Sequence, residues 1–207
     1  TVNRIHPIKL PNPMKRSEIN RSIREALDFL AEHRFPLPEW ATWTPPMWNR
    51  HGEECREIRD NALGWDVTDF GKGNFSREGL TLFTIRNGNP ARDRKTYCEK
   101  IMFVREGQVT PIHFHWHKME DIINRGGGDL CMQLAWATQD EQLDQQRHVS
   151  VMIDGCQRTQ KPAETLVLHP GQSVCLPVGL YHRFWAEKGI VMGWEISMVN
   201  DDHTDNR

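Results

Sequence analysis

The chain is expected to be mainly β: a small antiparallel barrel or jelly roll, entered through an N-terminal helical segment. Three observations predict this. From Leu80 onward, short runs rich in β-branched and aromatic residues recur with turn clusters between them, the spacing of an antiparallel sandwich or barrel. Before them, apolar residues between positions 17 and 34 recur at helical spacing. No self-similarity at a period of roughly 20 to 50 residues points to a repeat fold.

Taken in order, the helix carries Ile19, Ile23, Ala26, Leu27, Leu30 and Ala31 on one stripe, with charges between them. Such a stripe packs on a core. Ser17 is the expected N-cap, and Pro36 and Pro38 end the helix. Residues 36–76 hold Trp40, Trp43, Trp48 and Trp65 among prolines and glycines. They read as an irregular wrap with a short helix near Glu53 to Ala62. Its tryptophans pack on the outer face of the barrel, or cover its mouth or a subunit interface. Strands are expected over Leu80 to Ile85, Tyr97 to Val104, Val109 to Phe114, Asp129 to Trp136, Val149 to Ile153, Thr165 to Leu168, Val174 to Leu176, Tyr181 to Trp185 and Ile190 to Val199. Asp154-Gly155 is a hairpin turn. One domain is expected over 1–207, with the helix and wrap at about 14–76 and the barrel at about 79–200.

Composition narrows the partners. Lys and Arg number 26 against 28 Asp and Glu, a net charge of −2, and no basic stripe suggests nucleic acid. No apolar run approaches the roughly 20 residues that span a bilayer, and no secretory signal opens the chain. Cys55, Cys98, Cys131, Cys156 and Cys175 are scattered and never form C-x-x-C. They are expected to be packed thiols in a cytoplasmic protein. Met14 resembles a natural start, and the chain is expected to continue past Arg207.

Two separated motifs carry the chemistry. Gly107 to Gly127 reads G-x5-H-x-H-x4-E-x6-G, and Gly171 to His182 reads G-x5-P-x-G-x2-H. Both resemble the motifs of the cupin superfamily at every fixed position. Residues i and i+2 of a strand share a face, so His113 and His115 are expected to project together. Glu120 returns on a neighbouring strand, and His182 follows the turn that Pro177 and Gly179 favour. Three imidazoles and a carboxylate suit Mn, Fe, Co, Ni or Zn, with two positions of a six-coordinate ion left to exchangeable ligands.

The stretch from His113 to Gly128, with Pro177 to Trp185 and Val199 to Arg207, is similar to the D-lyxose isomerase family from about Met14 to Arg207. The resemblance implies a manganese-dependent, homodimeric aldose–ketose isomerase of free sugars. D-lyxose/D-xylulose is the implied main pair and D-mannose/D-fructose a second. It implies metal ligation by His113, His115, Glu120 and His182, and a catalytic or substrate-contacting Lys118.

The chemistry gives roles to further residues. Moving a proton from C2 to C1 of an aldose requires a base beside both carbons. Glu195, on the last strand, is the candidate if it points inward; if it points outward it is a solvated strand residue. Lys118 is placed to hold charge on O1 or O2. His117, Asp202, Asp205 and Arg207 are candidate contacts to sugar hydroxyls. Three rival readings remain open at this level. Fe(II) in the same cage supports a dioxygenase. Arg125-Gly126-Gly127-Gly128 offers a phosphate clamp for a phosphosugar isomerase, or forms only the tight turn that ends the first motif. A non-enzymatic sugar-binding cupin is the third, although such proteins often lose ligands and all four are present.

Overall fold

The computed structural model describes residues 14–201 and 204–207. The expected helix is α1, Arg16–Glu32. It is capped by Glu18 rather than Ser17: the Glu18 carboxylate accepts from the Lys15 backbone N–H at 2.8 Å, satisfying a donor left over at the helix start. Arg34 turns into the left-handed region at φ 55, which closes the helix ahead of Pro36. The wrap contains α2 (Pro45–Trp48) and α3 (Arg56–Asp60), with 3-10 turns over Glu39–Thr42 and Glu53–Cys55. Trp40 and Trp65 both lie 4.9 Å from the Phe83 ring, so these tryptophans pack on the outer face.

Ten strands follow: β1 (Gly64–Thr68), β2 (Leu80–Arg86), β3 (Tyr97–Val104), β4 (Val109–His113), β5 (Glu120–Trp136), β6 (Val149–Ile153), β7 (Cys156–Gln160), β8 (Thr165–Leu168), β9 (Ser173–Leu176) and β10 (Leu180–Met198). They form one antiparallel sheet in the order β1-β2-β3-β10-β5-β9-β6-β7, with β4 also on β10 and β8 also on β5. The long strands β5 and β10 pair along both halves of their length, with register shifts between Glu187 and Val191 and between Met192 and Gly193. Bulges of this kind bend a sheet so that one strand serves two layers.

Alternation sorts the side chains. On β3, Met102 and Val104 enter the interior cluster with Leu82, Ile122, Leu134 and Phe184. Ile101 and Phe103 face outward, where Ala26 and Leu30 of α1 and Trp194 of β10 cover them. Burying each such large side chain contributes roughly 1.5–3 kcal/mol. Helix and wrap therefore form an outer layer, and the barrel interior is free to hold a site.

Four expectations need correction. β5 begins nine positions before Asp129, and the two runs placed at Tyr181–Trp185 and Ile190–Val199 are one strand, β10. β1 and β7 were not expected. Gly126 to Gly128 do not form a terminal turn; they lie inside β5, where a Cβ on Gly127 would sit 2.0 Å from the Ile190 carbonyl and one on Gly128 2.3 Å from that of Glu187. The glycines are required because β10 passes too close for any side chain. Cys156 is exposed rather than packed, while Cys98 and Cys131 are buried. Asp154 and Gly155 do form the two-residue hairpin between β6 and β7, both at positive φ, 48 and 82, as a type I′ turn demands. No helix among the described residues is long and apolar enough to cross a membrane.

Candidate metal centre and polar cavity

A cavity of about 390 Å³ opens at one end of the barrel, and His113, His115, Lys118, Glu120, His182 and Glu195 line it. Two of the expectations about how they meet are altered. β4 ends at His113, so His115 sits in the following loop, held by its own carbonyl, which accepts from Gly179 N–H at 3.0 Å. Glu120 opens β5, which pairs with β9 and β10 there rather than with β4. His182 pairs directly with His113 across the β4–β10 ladder.

The three imidazoles each offer a nitrogen within 4.8 Å of the other two. Their Nδ1 atoms all face backbone carbonyls: Pro111 at 2.8 Å for His113, Asp205 at 3.0 Å for His115 and Leu180 at 3.0 Å for His182. A carbonyl only accepts, so each Nδ1 carries the proton and each Nε2 keeps a lone pair. Burial, with the neighbouring His182 and His115 rings, holds the His113 pKa well below its ordinary value. This ring is neutral and basic toward a cation.

The Nε2 atoms are left with an unresolved demand. His115 Nε2 is buried without a hydrogen-bond partner among the described residues. His182 Nε2 faces the Glu120 carboxylate at 3.0 Å, and His115 Nε2 faces it at 3.6 Å. A lone pair against a carboxylate is repulsive unless a proton or a cation lies between them. The donor set therefore fits a divalent ion of borderline hardness. Glu120 lies outside the mutual set of three imidazoles but within reach of two of them.

Beside the histidines sits a buried charge network. Lys118 Nζ donates to Glu120 at 2.8 Å, Glu195 at 2.9 Å and Asn200 at 3.0 Å, which uses all three of its protons. Burial alone would lower its pKa, but Glu195 and Glu120 outweigh burial and raise it. Glu195 points inward and is 5% exposed; Ser197 Oγ donates to it at 2.9 Å and Lys100 Nζ lies 3.6 Å from its other oxygen. Burial pushes the Glu195 pKa up, yet Lys100 and Lys118 hold it below the usual carboxylate value. Glu120 is held well below that value as well: burial opposes this, and Lys118 and the histidines prevail. Two lysines thus balance two carboxylates at the cavity floor.

Lys100 was not singled out from the sequence, although one signal existed. It shares the inward face of β3 with Cys98, Met102 and Val104, so it is a charge among apolar partners. Asp66, Thr68, Thr110 and Asn206 also line the cavity and were missed. Three of the candidate sugar contacts, His117, Asp205 and Arg207, do not line this cavity. His117 is exposed and borders a separate cleft that Lys118 also lines. Arg207 pairs with Glu141 at 2.9 Å on the surface. Asp202 lies outside the described residues.

Asp205 is buried and its carboxylate is already engaged. One oxygen accepts from His117 N–H at 2.8 Å, the other from Lys118 N–H at 2.9 Å, while its carbonyl orients His115. It is better described as a positioning residue. Asp205→Ala is expected to cost about 1–3 kcal/mol of unfolding free energy, because the buried Lys118 amide and the part-buried His117 amide lose a charged acceptor. It should also weaken metal retention about tenfold. Urea unfolding and metal analysis of the variant check both.

Arg125 does not form a phosphate clamp. Its guanidinium lies 5.9 Å from the ring centre of Trp194 on the outer face, and the glycines after it are packed against β10.

Fold and site together define a cupin-type barrel with a histidine-rich candidate metal centre and a buried lysine–carboxylate network. A family model described as D-lyxose isomerase matches residues 14–207, and the chain belongs to that family. It is 48% identical over 198 residues to a D-lyxose/D-mannose isomerase of Escherichia coli O157:H7, covering 93% of this chain and 87% of the relative. It is 46% identical to one from Serratia proteamaculans, with 94% and 87% covered. Among solved structures, the L-ribose isomerase of Cellulomonas parahominis superposes with a TM-score of 0.58 at 16% identity, over 93% of this chain and 91% of that one. The L-ribose isomerase of Acinetobacter sp. DL28 in complex with L-ribose gives 0.60 at 15%, over 93% and 84%. At those identities the likeness concerns the fold.

Proposed function

We propose that this chain is a metal-dependent aldose–ketose isomerase of free sugars, acting on D-lyxose/D-xylulose and on D-mannose/D-fructose. The observation that carries the reading is a buried, ionised carboxylate, Glu195, joined through Lys118 to Glu120 in the cavity the three histidines line. Family membership supports the substrates. The bound ion is read as Mn2+, with Co2+, Fe2+, Ni2+ or Zn2+ as substitutes the ligands would accept. Unpaired thiols suit a reducing cytoplasm, and a homodimer rests on the family alone.

His113, His115, Glu120 and His182 would hold the ion, which when bound supplies Lewis-acid polarisation of the sugar oxygens O1 and O2. The protein does the rest. Glu195, ionised at neutral pH, removes the C2 proton, leaving an enediolate across C1 and C2. It then returns that proton to C1 while the O2 hydroxyl proton passes to O1, so that C2 becomes the carbonyl and O1 the alcohol. Lys118 stays cationic and stabilises the negative charge that passes between the two oxygens. Lys100 and Ser197 fix the carboxylate so that it reaches both carbons.

Protein loaded with Mn2+ should convert D-lyxose to D-xylulose in deuterated water with exchange at the transferred hydrogen, and EDTA should abolish conversion. Oxygen uptake in its place would favour the Fe(II) dioxygenase. Glu195→Gln is expected to lower kcat by about 10²–10⁴, the usual worth of a positioned base, with Mn2+ content unchanged. Turnover close to the parent in that variant would remove Glu195 from the mechanism.

A further inference from the structure

We infer that Thr110 is a substrate-contact residue whose hydroxyl hydrogen-bonds a hydroxyl of the bound sugar. The inference rests on the isomerase reading above and assigns one polar contact within its cavity. Thr110 lines the cavity and is 3% exposed, yet its Oγ1 has no hydrogen-bond partner among the described residues. Two other buried hydroxyls are satisfied: Ser22 Oγ donates to the Glu18 carbonyl at 3.0 Å and Ser197 Oγ to Glu195 at 2.9 Å.

An unpartnered buried hydroxyl costs free energy that a valine of the same shape would avoid. The local backbone is built to create the situation. Thr110 pairs with Phe184 and His113 with His182. Three steps along β4 therefore match two along β10, and the register shifts between them. On a regular strand, residues three apart point to opposite faces. The bulge at Pro111-Ile112 turns both Thr110 and His113 inward and leaves Ile112 at 41% exposure on the outside. Bulges beside sites re-aim side chains in this way. Thr110 pairs with Phe184 across the ladder, and Leu80, Leu82 and Met102 add to the apolar part of the cavity wall. A ligand donor or acceptor reaching that wall has Thr110 to meet it. The chemistry that answers a lone hydroxyl beside a candidate metal ligand is a sugar hydroxyl away from the reacting carbons.

The test compares Thr110→Val and Thr110→Ser in the Mn2+-loaded protein, using thermal melting, steady-state kinetics on D-lyxose and calorimetric sugar binding. Thr110→Val is expected to keep its metal and an equal or higher melting temperature. Its KM should rise about tenfold and its kcat change by less than about threefold. Thr110→Ser should restore the parent KM to within about threefold. A Thr110→Val KM within twofold of the parent overturns the inference and leaves the isomerase reading intact. A higher KM accompanied by a lower melting temperature and no rescue by serine also overturns it, because the role is then structural. A parent protein that neither converts nor binds any free sugar removes both readings at once.

Discussion

Lys118→Met should lower kcat by more than about 10³ while the protein keeps its metal. Lys118 touches Glu120, Glu195 and Asn200 together, so its loss disturbs the base, a candidate ligand and the cation meant for the sugar oxyanion. Removing positive charge beside a cation site strengthens that site electrostatically, and Mn2+ should therefore be retained. Stability should not be retained. Deleting one partner of a buried ion pair leaves an uncompensated charge, at about 3–5 kcal/mol. The pH dependence of this deficit has a definite sign. In the parent, Glu195 and Glu120 have folded pKa values below the ordinary carboxylate value, because Lys100 and Lys118 hold the first down and Lys118 and the histidines the second. Their contribution is present above that value and is lost as pH falls through the folded pKa. In the variant, burial pushes the same carboxyls upward with less opposition, so they take up protons more readily. The gap in unfolding free energy between parent and variant should be widest near neutral pH and narrow below about pH 5. Urea melts at pH 7 and pH 4.5 read this directly. A variant with near-parent turnover would show that the contacts to Lys118 serve packing alone.

Much of this site was legible in the sequence because its spacing is rigid. His113, His115, Glu120 and His182 were identified from two motifs, and the structure brings the three histidines and the carboxylate to one cavity. The route was less legible. The i, i+2 rule was applied to His113 and His115, but the strand ends between them, and the Asp205 carbonyl and Gly179 N–H hold the second ring in place. That help comes from 64 to 90 positions away and leaves no local trace. Lys100 went unnoticed for a related reason. Both faces of β3 are buried, one by the barrel interior and the other by α1, so the strand reads as nearly uniform and an inward charge does not stand out. The terminal tract was read as sugar contacts because its residues are polar. Asp205 instead spends its carboxylate on backbone amides, as buried acids commonly do when a turn needs acceptors. The bulge that aims Thr110 is invisible to any periodicity, since its effect is to break one.

His182→Ala is expected to lose metal and activity together, which separates it from Lys118→Met. His182 is 2% exposed and sits near the start of β10, paired to His113 on β4 and Leu134 on β5, with its ring centre 4.2 Å from that of His113. Losing an outer-shell partner of a ligand typically costs 10–100-fold in affinity, so losing a ligand should cost at least about 10²-fold, and kcat should fall by more than about 10³. Melting temperature offers a readout independent of turnover. An ion present at 100 times its Kd stabilises the folded state by about 2.7 kcal/mol. The parent should therefore melt higher with added Mn2+, and the variant should not respond at the same concentration. Free imidazole at millimolar levels can occupy the space the truncated ring leaves, and should restore part of the Mn2+ response and part of the activity. A His182→Ala protein that still melts higher with Mn2+ and turns over D-lyxose within about tenfold of the parent would place the ion somewhere other than between these rings.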